Sequence, residues 1–113
     1  MNPDELENLI RSRRSSLLLD AEKQVTNDLL QRITDAAQFA PNHRRTWPLR
    51  IAAVTGASRS VLGDTIADAM AMFGDDEAKV TKARTKYLRS PVVLVVASAQ
   101  GSSENETEEN KYA

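Results

Sequence analysis

The segment Pro91-Val92-Val93-Leu94-Val95-Val96-Ala97 constrains this chain more than any other. β-branched side chains favour extended backbone, and a strand with no polar alternation has no face left for water. Such a strand is expected to lie centrally in a sheet, with helices over both faces. Only one other run is short, apolar and closed by a turn residue: Leu49 to Thr55, followed by Gly56. Two strands do not make a stable sheet of the kind this run demands. Cover from a partner subunit or from further chain is therefore expected.

The remaining segments read as helices and connections. Leu6, Leu9 and Ile10 share one helical face behind Pro3, Asp4 and Glu5, which suit a first turn; this helix is expected to end near Arg13 or Arg14. Ser15 to Val25 is a connection. Thr26 is a good N-cap for a helix whose stripe is Leu29, Leu30, Ile33, Ala36, Ala37 and Ala40, and Pro41 stops it. Ser58 to Phe73 returns to helical period, with Val61, Leu62, Ile66, Ala69, Met70 and Phe73 expected inward. Gly74 breaks it, and a basic helix from Asp76 to Arg89 turns Val80, Ala83, Tyr87 and Leu88 inward. The order α, α, β, α, α, β defines an α+β or α/β layered domain. Residues 1–113 are read as a single domain, with 101–113, rich in Ser, Asn and Glu, as a solvated or disordered end.

Composition narrows the function. A hydrophobic fraction of 41% with 27% charged residues belongs to a soluble globular protein. The absence of cysteine removes disulfides, thiolate metal sites and cysteine nucleophiles, and fits a reducing cytoplasm. A single histidine gives no metal-ligand cluster, so no metal is expected. No stretch is long enough to span a bilayer. The net charge of −1 gives no reason to expect nucleic-acid binding. Charge is nevertheless uneven. Residues 11–50 hold eight basic against four acidic side chains, whereas 101–113 hold four glutamates against Lys111. A local positive patch suits a small anion better than a long polyanion.

Two segments within that patch can carry binding chemistry. Arg13-Arg14-Ser15 could hold a terminal phosphate and neighbouring hydroxyls, because guanidinium binds phosphate oxygens bidentately and stays charged. Charge complementarity at a helix C-terminus is the commoner reason for such residues. His43, in the loop after Pro41, could donate to an anionic or carbonyl group of a ligand, or could simply be exposed. Arg44 and Arg45 extend the patch or face water. Trp47 could stack on a flat ring or plug the edge of a small core. Lys79, Lys82, Arg84, Lys86 and Arg89 read as a solvated helix face. No phosphate loop, dinucleotide fingerprint or nucleophile elbow is present.

Taken in order, these segments resemble the N-terminal half of the flavin-dependent nitroreductase family. Leu9-Ile10-Arg11-Ser12-Arg13-Arg14-Ser15 is similar to that family's Arg-Arg-Ser motif. Ala36-Ala37-Gln38-Phe39-Ala40-Pro41-Asn42-His43 is similar to its alanine-rich helix ending in Ala-Pro, in the form found in the small, single-domain NAD(P)H nitroreductase branch. Leu49 to Gly56 resembles the family's next strand, and the helix leading into Pro91 to Val96 resembles its later helix and apolar strand. Trp47-Pro48-Leu49-Arg50-Ile51 departs from the family's Pro-Trp-x-Phe-like segment, with Leu49 and Ile51 at the aromatic positions. The resemblance implies a layered α/β/α sandwich, present here as its N-terminal portion, with the C-terminal part of the fold missing. It also implies an FMN enzyme working as a homodimer with FMN at the subunit interface. Arg13, Arg14 and Ser15 would hold the FMN phosphate and ribityl chain, and His43 would contact FMN as well. Hydride would pass from NAD(P)H through the flavin to a nitro compound, quinone or similar small-molecule acceptor, with no catalytic side chain required. The alternatives are a non-catalytic flavin- or anion-binding module, or a structural domain whose basic loops are only surface.

Overall fold

A computed structural model describes residues 1–41 and 48–99; the polar end, 101–113, lies outside the described residues. The element order is α1 (Pro3–Ser12), α2 (Asn27–Ala37), β1 (Leu49–Thr55), α3 (Ser58–Met72), α4 (Glu77–Lys86), a 3-10 turn (Tyr87–Arg89) and β2 (Val92–Ser98). This is an α+β arrangement in the order expected. β1 and β2 pair antiparallel over their whole length, from Leu49 opposite Ser98 to Thr55 opposite Val92. The helices α3 and α4 connect the two strands and pack on each other.

Local chemistry sets most boundaries. α1 opens with a reciprocal capping box: the Asn2 side chain accepts from the Glu5 amide at 2.8 Å, and the Glu5 carboxylate accepts from the Asn2 amide at 2.9 Å. Thr26 Oγ1 accepts from the Leu29 amide at 3.2 Å and starts α2. α2 itself ends at Ala37, and hydrogen bonds from the Phe39 and Ala40 amides carry turn structure on to Ala40 before Pro41. At the end of α3, Gly74 adopts φ +79°. Its amide donates to the Ala71 carbonyl at 3.1 Å while the Asp75 amide reaches back to Met70 at 3.0 Å, which is a Schellman stop.

The best-packed part is the α3–α4 contact. Ala67, Val80 and Ala83 are buried, with Ile66 and Met70 against them. Small residues allow this approach. A Cβ built on buried Gly63 would stand 2.3 Å from the Arg84 carbonyl oxygen, so the two backbones meet there. The expected inward face of α3 is met at Ile66 and Met70 and corrected elsewhere. Val61 and Phe73 are exposed, at 65% and 88%, and Gly63 and Ala67 take the interior. Helix packing is governed here by closeness of backbones rather than by side-chain size.

Other apolar stripes lie uncovered among the described residues. α1 and α2 bury no residue. Leu6, Leu9 and Ile10 are exposed, as are Leu17 and Leu18 in the connection after α1. β2 carries exposed Leu94, Val95 and Val96, so its expected cover on both faces is not met within these residues. The radius of gyration is 17.8 Å, against about 13 Å for a closed domain of this length.

Candidate functional site

The candidate site begins where α1 stops. Arg13 is the C-cap residue, with φ −60° and ψ 136°, so the chain leaves the helix at this point. Its amide still donates to the Ile10 carbonyl at 3.4 Å, and its Nη1 donates to the Ser15 hydroxyl at 3.3 Å. Arg14 turns back instead. Its Nη1 donates to the carbonyls of Arg11 and Arg13 at 2.8 and 3.0 Å, satisfying acceptors that every helix C-terminus leaves open. Arg11 pairs with Glu7 one turn back at 2.6 Å. Among the described residues neither Arg13 nor Arg14 has a carboxylate partner.

Two guanidinium groups and a hydroxyl thus stand together on exposed backbone, without a counter-charge among the described residues. That donor set matches a phosphate, which takes charge-assisted hydrogen bonds from arginine forks and from hydroxyls. The two arginines divide the work: Arg14 caps the helix, and Arg13 with Ser15 forms a small exposed donor pair. His43, Arg44, Arg45 and Trp47 lie outside the described residues.

The connection beyond Ser15 reaches the sheet. Residues 21–25 and Asn27 border a cleft of about 400 Å³ whose opposite wall is Thr55, Gly56, Arg59, Pro91 and Val92. Arg59 holds that wall together and was not legible as a special position. Its Nε donates to the Gly56 carbonyl at 3.0 Å, and its Nη1 donates to the carbonyls of Leu88, at 3.4 Å, and Ser90. One side chain therefore ties the β1–α3 turn to the α4–β2 junction. A long-range bond to backbone leaves no local sequence signal; only an arginine three residues past the glycine that ends β1 hinted at it.

Elsewhere, Arg84 on α4 bridges Asp68 at 2.9 Å and Asp64 at 3.4 Å on α3. The hydrogen bonds to Asp68 and then Asp64 raise its pKa further above the ordinary guanidinium range. Among the described residues no cluster could hold a metal ion, and no helix is long and apolar enough to cross a membrane.

Comparison with known proteins gives this chain a family. The nitroreductase family model matches residues 10–113, and the chain belongs to that family. It is 30% identical over 95 residues to the protein named "Putative NAD(P)H nitroreductase YdjA" of Escherichia coli K12, and equally to the protein of that name in Escherichia coli O157:H7. The match covers 84% of this chain and 51% of each relative, so the chain spans about half the length of these curated relatives. Its α+β order is a partial nitroreductase-like fold.

Proposed function

We propose that this chain is part of an FMN-dependent oxidoreductase that takes reducing equivalents from NAD(P)H. Family membership and the similarity to proteins named as NAD(P)H nitroreductases support the reaction class. The observation that carries the cofactor assignment is the exposed pair of Arg13 Nη1 and Ser15 Oγ, 3.3 Å apart, with Arg14 beside it and no carboxylate on either arginine among the described residues. When bound, FMN supplies the redox chemistry, taking hydride from NAD(P)H and passing it to a nitro compound, quinone or similar small acceptor.

The protein's part is binding and orientation. Arg13 and Ser15 hold the phosphate and the adjoining ribityl hydroxyls. Arg14 keeps the helix end closed and adds positive charge to the same place. His43 contributes a donor to the cofactor. The site is completed in a homodimer, with FMN at the subunit interface, in the cytoplasm. The exposed apolar faces of α1 and β2 are surfaces that such an assembly would cover.

Fluorescence titration of FMN with the full natural protein tests this reading. Arg13→Ala is expected to weaken binding by about 2–5 kcal/mol, the cost of removing one member of a desolvated charge pair. Unchanged affinity in that variant would refute the assignment.

A further inference from the structure

The basic side chains of α4 are divided between two tasks. Arg84 bridges Asp64 and Asp68 on α3. Lys79, Lys82 and Lys86, the other cations of the helix, recur at three and four residues and so share one face. All three line a groove between α4 and α3, where Arg89 of the 3-10 turn joins them. The groove has a volume of about 640 Å³, within the range of about 300–1,000 Å³ usual for small-molecule sites. Among the described residues no carboxylate lines it, and none of these four cations has an ion pair. Like charges gathered at one groove repel one another, and an anion placed among them removes that cost.

The floor of the groove is apolar. Ile66 and Met70, one turn apart on α3, lie there with Ala83 of α4, and the three belong to or pack on the buried cluster. The half-buried Tyr87 ring lines it as well, with the Lys86 ammonium 5.9 Å from its centroid. Lysine stems lie along apolar surface while their heads stay in water, so the lysines lengthen this floor and set charge along its edge. An ammonium is a compact charge with rotatable donors, which suits a small anionic head without fixing its orientation. Ile66 and Ala83 offer aliphatic carbon, and the flexible Met70 thioether adapts to an unbranched chain. A single ring with Lys86 already over it is a poor stacking platform for a planar ligand. From Lys79 to Lys86 the rim runs about 10 Å along the helix axis, which sets the length of chain the floor can hold.

We infer that the α3–α4 groove binds an aliphatic carboxylate of medium chain length. Its anionic head lies among Lys79, Lys82, Lys86 and Arg89, and its hydrocarbon chain lies on Ile66, Met70 and Ala83. This goes beyond the oxidoreductase reading and does not rest on it. Binding depends on ionic strength, because exposed charges are screened over about 10 Å at 0.1 M salt and about 3 Å at 1 M.

Photo-crosslinking of the full natural protein with a diazirine-bearing decanoic acid, mapped by mass spectrometry, tests this. Label is expected within residues 66–89, displaced by decanoate and not by neutral decanamide. It should fall about fivefold between 0.1 M and 1 M salt. It should fall at least as much in the variant that combines Lys79→Gln, Lys82→Gln and Lys86→Gln, all at exposed positions, and stay unchanged in Lys23→Gln, an exposed lysine away from the groove. The map on the unaltered protein needs no variant, so it stands whether or not the triple variant folds. Label centred on α1 or β2, equal displacement by decanamide, or full labelling of a folded triple variant would overturn the inference. So would co-sedimentation with phosphatidylglycerol vesicles that the triple variant loses, which would assign the groove to a membrane surface instead.

Discussion

Gly63→Ala probes the tightest contact in the molecule. The added methyl would meet the Arg84 carbonyl oxygen at 2.3 Å, its carbonyl carbon at 3.0 Å and the Ala83 oxygen at 3.2 Å. Ordinary contact begins at 3.4 Å, so α3 and α4 must part by about 1 Å at this point. All three atoms are backbone, and no side-chain rotation relieves the clash. Overpacking of this kind costs about 1–3 kcal/mol, and the separation also loosens Ala67, Val80 and Ala83, the buried apolar cluster. Alanine recovers about 1 kcal/mol through its higher helix propensity. With no side chain able to yield, the cost falls in the upper part of that range, so the net expectation is a loss of about 1–2 kcal/mol, or a fall in Tm of about 5–15 °C for a chain of this size. Thermal unfolding followed by far-UV circular dichroism measures it. Arg84→Ala should not rescue the variant, since the obstruction is the carbonyl and not the side chain. A Gly63→Ala protein as stable as its parent would refute the close approach of the two helices.

Two further changes test other joints of the fold. Arg59→Ala removes the donor to the Gly56, Leu88 and Ser90 carbonyls. It should cost about 1–3 kcal/mol in urea unfolding, with faster proteolysis at the α4–β2 junction and incomplete recovery in Arg59→Lys, whose ammonium lacks the planar fork. Arg84→Gln breaks the bridge to Asp64 and Asp68 on an exposed surface, so its effect on stability should be small at low salt and vanish near 1 M. The raised pKa of Arg84 means that its contribution is fully present below the unfolded guanidinium pKa and lost only as pH rises through the still higher folded value. Titration of stability between pH 5 and pH 9 should therefore show no step that disappears in Arg84→Gln.

Local signals were readable where the local chain decides the outcome. Pro3 with Asp4 and Glu5, Thr26, Gly74 and the span of β1 needed only neighbouring residues, and each element begins or ends within a residue or two of its cue. The inward face of α3 was only partly readable from hydrophobic size: Ile66 and Met70 do pack against the buried cluster. Val61 and Phe73 are large yet exposed, while Gly63 and Ala67 face α4 because the helices meet at their backbones. The spacing of two small residues one turn apart was the available cue. Arg59 was missed for a related reason, since its partners lie about thirty residues away and are carbonyls that any sequence supplies. At the candidate site the sequence set Arg13 and Ser15 side by side, but it held no sign of the division of labour that sends Arg14 back onto α1.

β2 joins the sequence reading to the structure. Its unbroken apolar run predicts cover on both faces, and among the described residues its partner β1 occupies one edge alone. Among the described residues Leu94, Val95 and Val96 remain 38–61% exposed. A strand of this composition with an edge unpaired among the described residues is a pairing template, and the matched segment is 51% of each curated relative. The same logic applies to α1, whose uncovered Leu6, Leu9 and Ile10 lie on the helix that delivers Arg13 to its place. A surface that buries α1 would fix the position of the guanidinium, since the C-cap moves with the helix. On the proposed reading of the site, covering the apolar stripe and presenting Arg13 and Ser15 to an anion would be one structural event, so that binding would depend on assembly.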